Sequence, residues 1–336
     1  MNIAINGFGR IGRAVFKAII ENKVKVNIVA INDLTDTKTL AHLLQYDSAY
    51  GRYTKEVTYT KDALVVAGKK YPVYAERNPE DLPWEEKKVE IVMECTGLFR
   101  TKESAAAHIK AGAKKVIISA PAKDDKVKTF VMGVNEAKLK KTDNIISNAS
   151  CTTNCLAPVT DVIRQNFGIK NAMMTTIHSY TADQNIVDGP HKDLRRARAA
   201  AVNIVPTTTG AAIATTNVIP QLKGKFDGMA VRVPTPVGSL CDVTFITNKK
   251  VTEELVNSTL KKTSRLSKYK HIIEVDEGHL VSSDIVGNPS SSIVDAGCTK
   301  VSGDNLLKLI VWYDNEWGYS NRMIDLMEYI IKKKFV

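Results

Sequence analysis

The sequence lacks a run of residues apolar enough to cross a membrane. Its longest charge-free stretch, residues 199–222, is interrupted by Asn203, Pro206, Gly210 and several threonines, which makes it too polar for a bilayer core. The first residues, Met1–Asn6, contain neither a basic segment nor a long apolar core, so they do not resemble a signal peptide. Internal repeats and low-complexity linkers are also lacking. We therefore expect a cytoplasmic protein with no membrane segment.

Cysteine is scarce and irregularly placed. The cysteines are odd in number and scattered, which favours a reducing compartment over a disulfide framework; they are Cys95, Cys151, Cys155, Cys241 and Cys298. Cys151 and Cys155 lack the Cys-x-x-Cys spacing of a zinc or thioredoxin-like motif, and no second pair of cysteines or histidines accompanies them. We therefore expect no metal site.

Acidic residues are outnumbered by basic ones. Lys and Arg total 47 against 36 Asp and Glu, which gives a net charge of +11. The lysines are spread along the chain, and no RNA-binding signature with interleaved aromatic residues is present. Because anionic small molecules explain the basic balance more simply, nucleic acid is not the expected primary partner. A length of 336 residues is enough for two domains.

A glycine-rich segment follows the first predicted strand. Asn2–Asn6 is a short apolar run, Gly7-Phe8-Gly9-Arg10-Ile11-Gly12 comes next, and apolar residues at helical spacing continue to Ile20. Strand, glycine turn and helix in this order predict a dinucleotide site at a helix start. Asp33 ends a second strand about 20 positions later, where a carboxylate binds the adenosine ribose and repels a 2′-phosphate. The sequence therefore predicts NAD rather than NADP, the alternative being that Asp33 only caps the next helix.

The first half of the chain alternates strands and helices, and the second half does not. Buried-type strands at 89–95 and 116–119 flank an Ala-rich helix over 102–111, which indicates a parallel sheet. Later β-like runs, such as 172–178, predict a mostly antiparallel sheet with helices on one face. Residues 180–205 lack periodicity and predict a long ordered loop. The predicted fold class is α/β: a Rossmann-type doubly wound parallel sheet domain plus an α+β domain with a mostly antiparallel sheet.

Cys151 lies at the point in the sequence where the alternation of strands and helices ends. Ser150 and Thr152 are residue types that cap helix starts, so Cys151 is predicted in a first helical turn. Free N–H groups and the helix dipole there favour a thiolate and a lowered thiol pKa. Pro158 is expected to kink or end that turn. The alternative to a nucleophile is a small buried structural cysteine.

A thiol nucleophile needs a base, and the chain has six histidines. Only His178 ends a buried-type strand amid hydroxyl residues, so it ranks first, against the alternative of a core histidine. His108, in the Ala-rich helix, is expected at the surface.

Seven segments, in order along nearly the whole chain, carry a family resemblance: Asn6–Arg13, Ser147–Pro158, Thr176–Thr181, Asp193–Ala201, Pro206–Ala212, Arg232–Pro236 and Trp312–Asn321. They resemble phosphorylating glyceraldehyde-3-phosphate dehydrogenases. The resemblance implies oxidation of glyceraldehyde 3-phosphate by NAD and capture of inorganic phosphate to give 1,3-bisphosphoglycerate. Cys151 would attack the aldehyde and His178 would take the hydroxyl proton. The backbone N–H of Cys151 and the His178 side chain would support the oxyanion.

The resemblance also implies ligand-binding positions, and the residue types are those that phosphate requires. The substrate phosphate is expected at Thr181 and Arg232, with Arg196 assisting. The attacking phosphate is expected at Ser150, Thr152, Thr209 and Gly210. The alternative for the segment Thr207–Gly210 is a plain helix N-terminus, which is compatible because helix N-termini bind anions. The positions implied for NAD are Gly7, Gly9, Arg10, Ile11, Asp33, Arg77, Ser119 and Asn315.

Assembly and domain boundaries follow from the same resemblance. It implies a homotetramer in which the loop over 180–205 packs near a neighbour's cofactor, and a final helix that returns to the first domain. The expected domains are an NAD-binding domain of residues 1–150 and 317–336 and an α+β catalytic domain of residues 151–316. Gly189 replaces a Leu found in many NAD-specific relatives, and the smaller residue could relax the exclusion of NADP.

Other functions fit parts of the sequence. A dehydrogenase of the same fold that acts on erythrose 4-phosphate or another phosphorylated aldehyde would share the cofactor and the thiol, but the phosphate-site threonines favour the phosphorolysing enzyme. A redox sensor acting through Cys151, or an RNA-binding protein acting through a basic surface, would not need the whole set of nucleophile, base, cofactor and phosphate residues.

Overall fold

The computed structural model describes all 336 residues and divides the chain into two units. The first unit comprises Met1–Phe130, Ala137–Ala149 and Ser320–Val336, and the second comprises Val131–Glu136 and Ser150–Tyr319. None of the helices combines the length and the apolar character that a bilayer crossing requires.

The first unit contains eleven strands and three complete helices. The strands are β1 (Asn2–Asn6), β2 (Asn27–Asn32), β3 (Tyr46–Asp47), β4 (Gly51–Arg52), β5 (Val57–Tyr59), β6 (Ala63–Val66), β7 (Lys69–Tyr74), β8 (Ile91–Glu94), β9 (Lys115–Ile118), β10 (Lys128–Thr129) and β11 (Ile145–Ser147). The helices are α1 (Arg10–Glu21), α2 (Thr37–Gln45) and α3 (Lys102–Lys110).

Nine of these strands form one sheet, in the spatial order β10-β11-β9-β8-β1-β2-β7-β6-β5. The pairs from β10 to β7 are parallel, and β6 and β5 extend the sheet as an antiparallel edge. The central strands are buried, as parallel strands covered on both faces should be. Because β2 and β8 flank β1 on opposite sides, the strand order reverses at β1, and ligands of such sheets bind at that reversal. The Rossmann-type prediction is confirmed.

The second unit carries eight strands and the remaining helices. The strands are β12 (Ile169–Ser179), β13 (Val205–Thr207), β14 (Phe226–Val233), β15 (Ser239–Thr247), β16 (Ile273–Asp276), β17 (Ser292–Asp295), β18 (Lys300–Ser302) and β19 (Leu306–Tyr313). The helices are α4 (Cys151–Phe167), α5 (Ala211–Val218), α6 (Glu253–Ser264) and α7 (Trp317–Lys332), the last of which continues into the first unit.

The sheet of the second unit runs β13-β14-β12-β15-β19-β17-β16, with β18 beside β19. Only the pairs β12–β14 and β16–β17 are parallel, so the prediction of a mostly antiparallel sheet is confirmed. Buried and exposed positions alternate along β19, and α4 packs against β15, β17 and β19. This packing places the start of α4 beside the ends of β12 and β19.

Two expectations about loops and helix ends had different outcomes. The long loop predicted over 180–205 is present over 180–204, with only a short 3-10 turn at Ala200–Val202, and Val205 already begins β13. The idea that Pro158 ends the first turn of its helix is wrong, because α4 continues through it to Phe167. Thirteen of the residues of α4 are buried, and this packing outweighs the one backbone hydrogen bond that a proline removes.

Candidate active site

The start of α4 places Cys151 as its first residue. Ser150 caps the helix, since its Oγ accepts a hydrogen bond from the Thr153 N–H at 3.1 Å. The preceding Ala149 is buried and has a φ of 57°, in the left-handed region that costs a non-glycine residue about 1 kcal/mol or more. The sequence-based prediction of a helix start at Cys151 is confirmed, and the turn into it is strained.

His178, near the end of β12, is the partner of this thiol. Its Nε2 lies 3.4 Å from the Cys151 Sγ, and its Nδ1 lies 2.7 Å from the Ser179 carbonyl oxygen. A carbonyl only accepts, so the proton of the neutral imidazole sits on Nδ1 and leaves the Nε2 lone pair facing the thiol. The Arg232 Nη1, 3.1 Å from this Nδ1, is then a second donor to the same carbonyl. A neutral imidazole whose Nε2 lone pair faces a thiol is the arrangement in which a histidine takes a proton from a nucleophile.

Burial opposes a charge on either member of the pair. It raises the pKa of the Cys151 thiol to about 11, although Arg232 and hydrogen bonds from Thr152 act in the opposite direction. Burial, helped by Arg232, lowers the pKa of His178 to about 3. Burial therefore disfavours the thiolate and the imidazolium when each is considered separately. The expectation of a lowered thiol pKa is wrong, because desolvation outweighs the opposing effects of Arg232 and Thr152.

Proton transfer within the pair removes part of this cost. Moving the thiol proton across the 3.4 Å contact creates two opposite charges side by side, which stabilise each other in a poorly solvated site. The thiolate would also lie at the positive end of α4. The pair is thus built to form a thiolate without releasing its proton to solvent.

The positively charged Arg232 lies next to His178. In the parallel pairing of β12 with β14 it is the register partner of His178. Its Nη1 donates to the Ser179 carbonyl at 2.9 Å and lies 3.4 Å from the Thr181 Oγ1. Its Nε is buried and has no hydrogen-bond partner in the chain. An unpaired, buried Nε donor on a half-buried guanidinium is suited to an anion.

Arg196 is held by the long loop and by β13. Its Nε donates to the Thr207 Oγ1 at 3.0 Å, its Nη2 donates to the Thr208 carbonyl at 3.0 Å, and Asp183 pairs with its Nη1. Its charge helps to lower the pKa of His178, after burial and Arg232. The structure thus groups Arg196 with Arg232 around the thiol–imidazole pair.

Among the residues predicted for the attacking phosphate, Thr152 and Thr209 already take part in hydrogen bonds, whereas Gly210 has open space beside it. The Thr209 Oγ1 accepts the Ala211 N–H at 3.2 Å, and Gly210 is the N-cap of α5 with open space where a Cβ would stand. The hydroxyl of Thr152 is buried and lies 2.9 Å from the Tyr313 hydroxyl. An anion at Thr152 would therefore have to share that hydroxyl with Tyr313.

Two residues, Tyr313 in the second unit and His108 in the first, have surroundings that sequence patterns do not indicate. The Tyr313 hydroxyl bridges Thr152 and Thr176 at 2.9 Å each, and its ring meets the His178 ring edge-on at 5.9 Å. Tyr313 lies inside a segment that carries the family resemblance, which was its only signal. In the first unit, His108 is fully buried rather than at the surface, because Trp84 donates to its Nδ1.

The glycine loop of the first unit has the geometry of a pyrophosphate site. Gly7 has a φ of 88°, and a Cβ there would stand 2.7 Å from the Thr96 nitrogen. A Cβ on Gly12 would overlap the Gly7 carbonyl, whereas one on Gly9 would meet nothing within 4 Å. Gly9 is the N-cap of α1 and contributes no side-chain cap, so the first N–H groups of the helix are open to an anion.

Asp33 is fixed beside this loop. Its Oδ2 accepts the Phe8 N–H at 2.7 Å and its Oδ1 accepts the Thr35 N–H at 2.9 Å. The carboxylate thus follows β2 directly and is tied to the middle of the glycine loop. It does not cap α2, a task that Asp36 performs.

The other predicted cofactor residues are more scattered. Ile11 lies in the first turn of α1, Arg77 is exposed beyond β7, and Ser119 follows β9 with its N–H bonded to the Glu94 carbonyl. The Arg10 guanidinium pairs with both oxygens of Asp47 at 3.2 Å. Asn315 belongs to the second unit, where its Oδ1 accepts from the Gly238 N–H and the Ser239 hydroxyl. No group of three or more acidic, cysteine or histidine side chains is placed to hold a metal ion.

A dinucleotide-binding sheet in one unit and a thiol–imidazole pair with two arginines in the other define a class: dinucleotide-dependent dehydrogenases that work through a cysteine. Family models give the particular family. The model described as the glyceraldehyde 3-phosphate dehydrogenase NAD binding domain matches residues 1–102, and the model for the C-terminal domain of that enzyme matches residues 150–315. The chain belongs to the glyceraldehyde 3-phosphate dehydrogenase family, and its cofactor is NAD.

Full-length relatives agree with the family models. Glyceraldehyde-3-phosphate dehydrogenase 1 of Bacillus subtilis is 55% identical over 334 residues, covering 99% of each chain. Glyceraldehyde-3-phosphate dehydrogenase 2 of Streptomyces avermitilis is 54% identical over 331 residues, covering 98% of each chain. Glyceraldehyde-3-phosphate dehydrogenase of Borreliella burgdorferi is 51% identical over 338 residues, covering 99% of this chain and all of the relative.

Proposed function

We propose that the protein oxidises glyceraldehyde 3-phosphate with NAD and inorganic phosphate to 1,3-bisphosphoglycerate, a step of glycolysis and gluconeogenesis. The observation that carries the proposal is the 3.4 Å contact between the Cys151 Sγ and the His178 Nε2, with the Arg232 guanidinium alongside. It supplies a nucleophile, a base and a cation for a phosphorylated aldehyde in one place. Membership of the family supplies the cofactor.

Cys151 and His178 carry the covalent chemistry. His178 takes the thiol proton on Nε2, and the thiolate attacks the aldehyde carbon to form a C–S bond and an alkoxide. The imidazolium and the backbone N–H of Cys151 stabilise this oxyanion, which becomes the hemithioacetal hydroxyl when the proton passes to it. His178 then takes the same proton back as the carbon loses hydride, leaving a thioester on Cys151. Inorganic phosphate attacks the thioester, and the thiolate leaves.

The anion-binding side chains hold the two phosphates. The half-buried Arg232 and the neighbouring Thr181 suit the substrate phosphate, with Arg196 adding charge, because guanidinium forks and hydroxyls are strong phosphate donors. The start of α5, with Gly210 open and Thr209 beside it, suits the attacking phosphate, as do Ser150 and the backbone at Cys151. We assign these roles by residue type and position.

The first unit fits NAD. The open N-terminus of α1 at Gly9 and Arg10 would hold the pyrophosphate, and the Asp33 carboxylate would bind the adenosine ribose. When bound, NAD supplies the hydride acceptor of the oxidation. The protein contributes the backbone N–H groups and the carboxylate, both already held in position by hydrogen bonds of the loop.

Changing Asp33 to Asn should weaken NAD binding and relax the exclusion of NADP. Hydrogen bonds to a charged group contribute about 1.5–3 kcal/mol, so we expect the KM for NAD to rise roughly tenfold or more. Loss of the negative charge removes the repulsion of a 2′-phosphate, so the ratio of NADP to NAD efficiency should rise at least as much. Steady-state kinetics with both cofactors measure this, and Asp36→Asn, which keeps the cap of α2, is the matched control. An unchanged KM for NAD would remove Asp33 from the cofactor site.

The overall reaction is tested by following NADH at 340 nm with glyceraldehyde 3-phosphate and NAD, with and without inorganic phosphate. We expect turnover that requires phosphate. Turnover of equal rate without phosphate would indicate hydrolysis of the thioester and refute the proposal. Faster turnover of erythrose 4-phosphate than of glyceraldehyde 3-phosphate would assign a different substrate to the same site.

We further propose that the protein is a cytoplasmic homotetramer. Six large apolar side chains of the loop over 180–205 and its surroundings are 66% to 85% exposed, and exposed apolar side chains are buried when subunits assemble; they are Ile186, Val187, Leu194, Val202, Ile204 and Ile213. Sedimentation equilibrium should give four times the chain mass of 37.0 kDa, and a monomer would refute the assembly.

A further inference from the structure

Glu94, the last residue of β8, is a buried carboxylate with several hydrogen-bond donors. Its Oε1 accepts the N–H of Thr96 at 2.8 Å and also the Thr96 hydroxyl. Its Oε2 accepts from the Asn6 Nδ2 and lies 3.0 Å from the His108 Nε2. The side chains of Glu94 and His108 are both fully inaccessible to solvent. A carboxylate without a full set of donors would be very costly at such a position.

Trp84 fixes the protonation of His108. The indole Nε1 can only donate, and it lies 3.0 Å from the His108 Nδ1, so Nδ1 must accept. The proton of the neutral ring therefore sits on Nε2 and is donated to Glu94. The 3.4 Å contact of this same Nε2 with the Asn6 Nδ2 then joins two donors that share the Glu94 oxygen. His108 is thereby held in a single tautomer, with its proton on Nε2.

Asn6 and Asn32 continue the network to the neighbouring strands. The Asn32 Nδ2 donates to the Asn6 Oδ1 at 2.7 Å and to the Glu76 carbonyl at 2.9 Å. The Asn32 Oδ1 accepts the Glu76 N–H at 2.9 Å. Asn6 ends β1 and Asn32 ends β2, so buried side chains link the carboxyl ends of β1, β2 and β8 and the segment after β7.

The members of this network adjoin, in sequence, the segments where the cofactor is expected to bind. Asn6 precedes Gly7, Asn32 precedes Asp33, Glu76 precedes Arg77, and Glu94 precedes the turn that leads to Thr96. The turn at Thr96 is itself in contact with the glycine loop, since a Cβ on Gly7 would stand 2.7 Å from the Thr96 nitrogen.

We infer that Glu94 and His108 are positioning residues for NAD: they hold the loops at Gly7, Asp33 and Thr96 in the arrangement that the cofactor binds. Neither side chain can reach the cofactor, since both are inaccessible to solvent. Their effect passes through Asn6, Asn32 and Thr96. The inference rests on NAD binding at this edge, which is part of the proposed function. It predicts a loss of NAD affinity that is separable from the thiol chemistry of the second unit.

Glu94→Gln tests the inference with little change of shape. The new amide group must face either the Thr96 donors or the Asn6 and His108 donors, so one side of the network is broken. We expect the dissociation constant for NAD, measured by titration calorimetry, to rise about tenfold or more, as for loss of charge-assisted hydrogen bonds in a binding site. The kcat at saturating NAD and the alkylation rate of Cys151 without NAD should stay within about twofold of the wild type.

Two kinds of control separate positioning from general destabilisation. Glu90→Gln changes a carboxylate just before the other end of β8 and should leave NAD affinity unchanged. His108→Gln can still donate to Glu94 from the position of Nε2, whereas His108→Asn cannot reach it. We therefore expect near-normal NAD affinity in the glutamine variant and weakened affinity in the asparagine variant, whatever their melting temperatures.

Equal NAD affinity in wild type, Glu94→Gln and His108→Asn would overturn the inference. Should Glu94→Gln fail to fold, the two His108 variants decide, and equal affinity in both would overturn it as well. Absence of NAD binding by the wild-type protein would instead refute the cofactor assignment.

Discussion

Replacing Cys151 with serine should abolish turnover, with a loss of about ten-thousandfold or more in kcat. A serine hydroxyl is a far weaker acid than a thiol, and His178, whose pKa is lowered to about 3, is too weak a base to ionise it. The alkoxide would also be a poor leaving group when phosphate attacks the acyl intermediate. The substitution removes one sulfur from a half-buried position, so the fold should be unaffected.

The measurement is NADH formation under saturating substrate, phosphate and NAD, together with NAD affinity by calorimetry. Cys298→Ser is the matched control, because Cys298 is a free and exposed cysteine of the same unit. We expect normal turnover in that control and normal NAD affinity in both variants. Residual turnover of Cys151→Ser above a few per cent would show that another group is the nucleophile.

Replacing His178 with asparagine should lower kcat by about a hundredfold to ten-thousandfold, the range for loss of a general base. It removes the group that takes the thiol proton and that later takes the hydroxyl proton as hydride leaves. The thiol of the variant would then have to ionise without a neighbouring base, against the burial that raises the pKa of this thiol in the wild type. The nucleophile would survive but would lack the group that takes its proton.

Alkylation by iodoacetamide reports the thiolate directly. Because the wild-type thiol can pass its proton to the His178 Nε2 3.4 Å away, whereas the variant thiol must release it to solvent, the alkylation rate of His178→Asn should be below that of the wild type at pH 7. It should then rise about tenfold for each unit of pH up to the pKa, as the thiolate fraction does. His279→Asn is the control, since His279 is exposed and its φ of 58° is a conformation that asparagine tolerates. Equal alkylation rates in His178→Asn and wild type would exclude His178 as the base.

Much of the fold and part of the site could be predicted because their signals are local in sequence. The strand, glycine turn and helix around Gly7 follow each other within twenty residues, and the cap by Ser150 precedes its helix directly. The parallel and antiparallel sheets follow from whether helices separate the strands. His178 was found because hydroxyl residues and an apolar strand surround it. These features depend on neighbours in the chain, which a single sequence displays.

The rest of the site depends on contacts between distant residues. Tyr313 reaches Thr152 across 161 positions, and no periodicity or motif links the two. His108 was misjudged because its helix is rich in alanine, although Trp84 and Glu94 enclose it. The pKa of Cys151 differs from the expectation for a similar reason: the helix start is evident from sequence, but the desolvation of the thiol by distant residues is not. Desolvation is a property of the packed chain.

The pairing of β12 with β14 has a consequence for insertions and deletions. His178 and Arg232 are partners in this parallel register, and side chains along a strand alternate between the two faces of a sheet. A single residue added to or removed from either strand before these positions would turn one of the two side chains to the opposite face. Changes of length in the turn that follows Val233 would leave the pair intact. Insertions and deletions in functional homologues should therefore occur in the loops and not within β12 or β14.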